Sequence, residues 1–237
     1  MRTDSYLNPP CRPNTLDSFG NRRLILRAIR EALDRFSGTV LDVGCGEKPY
    51  RSLLTHAPSK ATRYLGLDLP YSAYGEPDLT WDGITIPLPN EEVESVILTE
   101  VLEHTPDPLA VLRETARVLK PGGLLLLTVP FIWPIHCVPH DEFRYTPFSL
   151  RRLLESAGFC DIKIKATGGR HAVLGVILGL WVRRRPLTSR VHVVTRWVLS
   201  YALWPVIFGL FKMDQRPEIL GESTLFVGLS ATARRKT

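Results

Sequence analysis

Cysteine is scarce in this 237-residue chain. There are four, Cys11, Cys45, Cys137 and Cys160, and no two form a Cys-x-x-Cys pair. That spacing excludes a disulfide framework and a zinc knuckle and fits a reducing cytosol. The first ten residues lack an apolar core, so no signal peptide is expected. Internal repeats and low-complexity tracts are missing, which excludes a solenoid or a linker-rich chain. The most local absence is of acid: from Ile162 to Met213 there is no Asp or Glu, against nine Lys and Arg. The net charge is +6, but the rest of the chain holds 21 basic and 24 acidic residues and sums to −3. Basicity so confined marks a local partner, and no general nucleic-acid binding is expected.

What is present is an alternation of helical and strand patterns. Asp17–Phe36 repeats apolar residues at three- and four-residue spacing and reads as an amphipathic helix. Strands are expected at Thr39–Val43, Arg63–Leu67, Leu79–Trp81, Ser95–Thr99, Leu124–Val129, Phe159–Thr167 and Ser223–Thr232. Further helices are expected at Tyr50–His56, Pro106–Leu119 and Pro147–Ala157, the second opened by Pro and closed by Pro121-Gly122-Gly123. This alternation predicts an α/β, doubly wound, Rossmann-like sheet of seven strands, the last antiparallel. The boundaries follow: an arm over 1–16, a core over 17–170, a basic apolar helical pair inserted over 171–214, and the last strand with a basic tail over 215–237.

The first strand ends in Asp42-Val43-Gly44-Cys45-Gly46, and the second ends in Asp68. Glycines let the chain turn tightly and let a ligand approach the backbone, while an acid at the next strand tip can accept ribose hydroxyls. An adenosine-like cofactor is therefore expected. With Trp81-Asp82-Gly83, Thr99–His104 and Leu119–Gly123, these segments fall in the order and spacing of class I S-adenosylmethionine-dependent methyltransferases. The chain resembles their type 11 group from about Asn21 to Phe159.

The resemblance implies S-adenosyl-L-methionine as cofactor. It implies that Asp42, Gly44, Cys45 and Gly46 meet the methionine part, that Asp68 and Leu69 lie at the ribose, and that Asp82 and Gly83 lie near the adenine. Thr99 and Glu100 would face the sulfonium side. Glu47-Lys48-Pro49-Tyr50 replaces a third glycine found in many relatives. This also weakens the alternative of a nicotinamide-dependent oxidoreductase or epimerase, whose pyrophosphate needs Gly-x-Gly-x-x-Gly. A second alternative is a non-catalytic cofactor-binding module on the same fold.

Methyl transfer from a sulfonium is an in-line displacement, so a base is needed only where the acceptor must lose a proton. His136–Tyr145, after the fifth strand, crowds His136, His140, Asp141, Arg144 and Tyr145 into ten residues and reads as a lid over the acceptor. His140 is the first choice for a base, with His136 and Asp141 beside it. Glu100, Glu103 and His104 share a face if helical and could hold a divalent ion. The plainer role is to brace the following helix, and no metal is expected.

Ala172–Val182 and Trp197–Phe211 are apolar runs, each short of the ~20 residues a bilayer span needs. A longer span over Val191–Phe211 is compromised by Arg196 and Pro205. Two environments fit these runs. One is a cap buried on the domain or at a homodimer interface. The other is a hairpin in a membrane interface, with Trp and Tyr at headgroup level and arginines on anionic lipid. The absence of acid favours the membrane. The acceptor expected is then a lipid, a quinone or a lipid-linked glycan, and the protein a cytoplasmic one held at the inner face of a membrane.

Overall fold

The computed structural model describes residues 4–71 and 75–237. The start of the expected arm and residues 72–74 of the loop before the third strand lie outside them. Among the described residues seven strands form one sheet: β1 (Ser37–Val43), β2 (Lys60–Asp68), β3 (Leu79–Thr80), β4 (Val93–Thr99), β5 (Leu119–Pro130), β6 (Phe159–Ala166) and β7 (Gly228–Arg235). Their order is β3-β2-β1-β4-β5-β7-β6. β1 to β5 are mutually parallel, and β7 runs antiparallel to both β5 and β6. This is the doubly wound sheet that the alternation predicts.

The strands are apolar on both sides because both faces are covered. Leu124 and Leu126 of β5 pack with Ile25 and Ile29 of helix α2 (Leu16–Arg30). Leu125 and Leu127 pack on the other face with Val111 and Leu112 of α4 (Pro108–Val118) and Leu150 and Leu154 of α5 (Pro147–Ser156). Two short helices, α1 (Asp4–Leu7) and α3 (Arg51–Leu54), complete the α2 side. The Asp107 carboxylate caps α4 by accepting from the Ala110 N–H at 2.9 Å, and Thr146 and Ser149 cap α5 reciprocally.

Four local expectations are corrected. The helix expected over Asp17–Phe36 stops at Arg30, and a 3₁₀ turn at Leu33–Arg35 follows. That turn brings Phe36 into full burial just before β1, where a continuing helix would carry it past the sheet edge. The helix expected over Tyr50–His56 shrinks to Arg51–Leu54, with the Thr55 hydroxyl donating back to the Arg51 carbonyl. β5 begins at Leu119, and the Pro-Gly-Gly turn is absorbed as an irregularity in its pairing with β4. The last strand starts at Gly228 and reaches Arg235, because the Val227 carbonyl instead accepts from the Phe131 and Ile132 N–H groups beyond β5.

The expected apolar pair is α6 (Arg170–Arg183) and α7 (Arg190–Met213). Val173, Val176, Ile207 and Phe211 bury against Leu16 and Phe19 of α2. Gly20 and Gly175 make room for the Phe211 ring, since a Cβ at Gly20 would stand 2.3 Å from its tip. Contrary to the run-length expectation, α7 at 24 residues is long and apolar enough to cross a membrane by length and composition, with Pro205 accommodated inside it.

Candidate active site at the strand tips

The carboxyl ends of β1, β2 and β4 meet at the turn after β1. Gly44 (φ +70°) and Gly46 (φ +49°) are left-handed, where a side chain is strained. A Cβ on Gly44 would stand 2.3 Å from Val101 Cγ2. The Gly44 and Cys45 N–H groups donate to the Leu67 carbonyl at 2.8 and 3.1 Å. The Gly46 N–H donates to Asp68 Oδ2 at 2.8 Å, and the Leu69 N–H to Asp68 Oδ1 at 2.8 Å. Asp68 thus ties the turn to the tip of β2. Cys45 lies buried over Gly66, and burial pushes its thiol up to about 12, which suits a packing residue and not a nucleophile.

Asp42 is buried, and its Oδ2 accepts from the Tyr64 hydroxyl at 2.5 Å. Its Oδ1 has no hydrogen-bond partner among the described residues. Burial pushes this carboxyl up to about 7, with the Tyr64 hydroxyl opposing and the nearby Asp68 adding to the rise. An orphaned buried oxygen beneath a glycine turn fits a bound group that supplies hydrogen. Tyr64 carried no signal in the sequence beyond its place in a strand. Asp82 is exposed and accepts from the Ile84 and Thr85 N–H groups at 2.9 and 2.6 Å, so in this structure its oxygens serve a turn. Leu69 Cδ2 would stand 3.7 Å from a Cβ on Gly83.

Glu100, at the tip of β4, is left-handed (φ +54°), an uncommon backbone conformation for a non-glycine residue. It accepts from the Thr128 hydroxyl at 2.9 Å and from Asn21 Nδ2 at 3.4 Å. Burial raises its carboxyl. Thr99 pairs with Thr128 across β4 and β5. Glu103 follows in a 3₁₀ turn and is fully buried. Among the described residues neither of its carboxyl oxygens has a hydrogen-bond partner, and burial together with Glu100 raises it well above the usual range.

The loop after β5 folds back over this turn. The Glu142 and Phe143 N–H groups donate to the Glu103 carbonyl, and the Tyr145 hydroxyl donates to the Leu102 carbonyl at 3.1 Å. Asp141 receives Arg144 on both oxygens, at 2.6 and 2.9 Å, and Arg144 holds its carboxyl well below the usual carboxylate range. His136 Nδ1 lies 3.3 Å from Asp141 Oδ2. Of the three residues expected to do chemistry, His136 and Asp141 come together here, while the His140 side chain is exposed. It is the His140 carbonyl that takes part, accepting from His104 Nδ1 at 2.6 Å. A cleft of about 670 Å³ opens away from the strand tips, between α2 and α7, lined by Arg23, Arg27, Arg30, Phe19 and Phe208.

A glycine turn, an acid at the next strand tip and a polar loop after β5 are the arrangement expected of a nucleoside-cofactor enzyme on an open α/β sheet. The methyltransferase domain family matches residues 19–164. The chain is 25% identical over 205 residues to a demethylmenaquinone methyltransferase of Staphylococcus saprophyticus, covering 68% of this chain and 88% of the relative. It is 35% identical over 112 residues to a ubiquinone biosynthesis O-methyltransferase of Xanthomonas oryzae, covering 40% of this chain and 44% of that one. A methyltransferase structure from Thermotoga maritima, described as a possible histamine N-methyltransferase, superposes with TM-score 0.58 at 15% identity, over 92% of this chain and 91% of that chain. At that identity the likeness is one of fold. The chain belongs to the methyltransferase domain family. It is a class I S-adenosylmethionine-dependent methyltransferase, an enzyme whose cofactor is S-adenosyl-L-methionine.

Proposed function

We propose that this enzyme methylates a membrane-borne amphiphile, a prenylated quinol, while α6 and α7 rest on the anionic inner face of a membrane. The observation that carries this reading is the outward face of the helical pair. Trp181 is 52% exposed, Trp197 63% and Val191 71%, and only 17% of the most apolar window of α7 is buried. An apolar face of this kind costs about 25 cal/mol per Å² in water and marks a partner surface. Arg185, Arg190, Arg196 and Lys212, on or beside the pair, supply the charge complement, each worth about 1 kcal/mol where it comes close to anionic headgroups. Arg183 and Arg184 instead pair with Asp17, and Lys165 of β6 pairs with Glu31. Arg185 lies over the Trp181 ring at 4.7 Å, a pairing suited to the headgroup level.

The C-terminal half of α7 is tied to the domain. Ile207 and Phe211 are buried, and the Trp204 indole N–H donates to the Cys11 carbonyl at 2.8 Å. A helix so anchored lies along a membrane rather than through it. The quinone methyltransferases among the relatives support the acceptor class.

When bound, S-adenosylmethionine supplies an electrophilic methyl on a sulfonium. The chain holds the cofactor end with the Gly44–Gly46 turn and Asp68. It covers the acceptor end with the loop carrying His136, Asp141 and Arg144, and in-line alignment provides much of the acceleration.

The reading is tested by flotation with phosphatidylglycerol and phosphatidylcholine vesicles, followed by transfer of labelled methyl to a demethylated quinol in those vesicles. Salt-sensitive flotation with the anionic vesicles and a labelled quinol are expected. A protein that stays in solution as a dimer shielding Trp197 would overturn the membrane surface, and label on a phospholipid or glycan instead would overturn the acceptor.

A further inference from the structure

One ligand atom from each of His104, His136 and Cys137 lies within 4.8 Å of the other two. Two of these residues follow β5 and one precedes α4, so only the fold of the lid brings them together. The two rings meet edge to face with centroids 4.6 Å apart. We propose that these three side chains bind a divalent zinc ion at the edge of the lid. The site is independent of the acceptor's identity, and it runs against the sequence expectation of no metal.

The hydrogen bonds around the rings prepare both for ligation. A carbonyl oxygen can only accept, so His104 Nδ1 carries the proton it gives to the His140 carbonyl, at 2.6 Å. Nε2 of His104 is left with its lone pair. His136 Nδ1 faces Asp141 Oδ2 at 3.3 Å, and Arg144 holds Asp141 in place by donating to both of its oxygens. Nε2 of His136 is likewise left free. Metal-binding histidines characteristically give their other N–H to a carbonyl or carboxylate in this way, which sets the tautomer and the ring orientation. Zinc accepts two imidazoles and a thiolate at ~2.0–2.3 Å, so closing on an ion needs an inward shift on the order of 1 Å.

A further acidic group stands beside the cluster. Glu103 is fully buried, both of its oxygens lack a hydrogen-bond partner among the described residues, and Oε1 lies 3.7 Å from His104 Nε2. A carboxyl oxygen so placed lies within reach of an ion held on His104 Nε2. His104 and His136 are about a quarter exposed and Cys137 is exposed. The ion would therefore keep an open position toward solvent, as zinc does where it meets water or a substrate oxygen.

The test is to strip the full-length protein with a chelator, then titrate it with zinc against a chromogenic competitor and, separately, with cobalt(II). One zinc per chain is expected, together with a tetrahedral cobalt spectrum that carries a thiolate charge-transfer band. Cys137→Ser should abolish that band, and His104→Gln and His136→Gln should each weaken zinc binding by ~10–100-fold or more. Circular dichroism and S-adenosylmethionine binding on the same variants report whether each still folds and whether the cofactor site is intact. A folded protein that takes up no stoichiometric metal would overturn the proposal. So would a cobalt spectrum that survives Cys137→Ser, or a zinc affinity indifferent to both histidine substitutions.

Discussion

Leu124–Leu127 of β5 and the first turns of α7 are both rich in apolar residues, yet they live in opposite surroundings. The four leucines are at most 1% exposed, while Val191, Val194, Trp197 and Val198 are each more than half exposed. The strand has α2 on one face and α4 with α5 on the other. The first half of α7 has few neighbours, and Ser200 is the first of its residues to be buried. Hydrophobic content is therefore no guide to burial by itself. Topology covers the strand on both faces and leaves the first turns of the helix exposed.

The contrast can be broken most forcefully in the core. Phe159, at the start of β6, is fully buried, so Phe159→Ala should cost about 3–5 kcal/mol in urea unfolding. A loss below about 1 kcal/mol would mean that this end of the sheet is loosely packed. An intermediate effect belongs to Asp42, whose folded carboxyl sits at about 7. The unfolded chain releases this proton near pH 4 and the folded chain does not, so the fold binds more protons between roughly pH 4 and 7. Stability should fall as pH rises through that window, and Asp42→Asn should flatten the slope. Equal slopes in the two proteins, measured by denaturation at pH 5 and pH 8, would remove Asp42 as the cause. The smallest change in stability is expected from Trp197→Ala, within about 0.5 kcal/mol, because its ring is mostly in solvent. The same substitution should weaken flotation with anionic vesicles. If instead it unfolds the protein, the ring is a core element and the contrast with β5 collapses.

The parts of the site legible in the sequence were those set by backbone requirements. Gly44 and Gly46 occupy left-handed positions, and Asp68 stands at the tip of β2, because a strand–turn–helix crossing constrains which residues fit there. The limits of α2 and β7 were less legible. Their apolar periodicity runs past the point where packing redirects the chain, at Glu31 and at Gly228. His140 shows the same limit at the lid. The sequence shows a run of polar residues after β5, but that His136 and Asp141 meet while the His140 side chain is exposed depended on how that loop settled on the Glu103 carbonyl.

The sequence by itself determined the order of helices and strands, the glycine turn, the acid at the second strand tip and the acid-free basic segment. Each of these rests on local periodicity, backbone freedom or a count of charges. Tertiary structure alone decided that Glu103 is buried with no hydrogen-bond partner for its oxygens among the described residues, that His104 meets His136 and Cys137, and that one side of α7 remains bare. Those facts depend on how distant segments pack, and burial and proximity are properties of the packed chain that no local pattern contains.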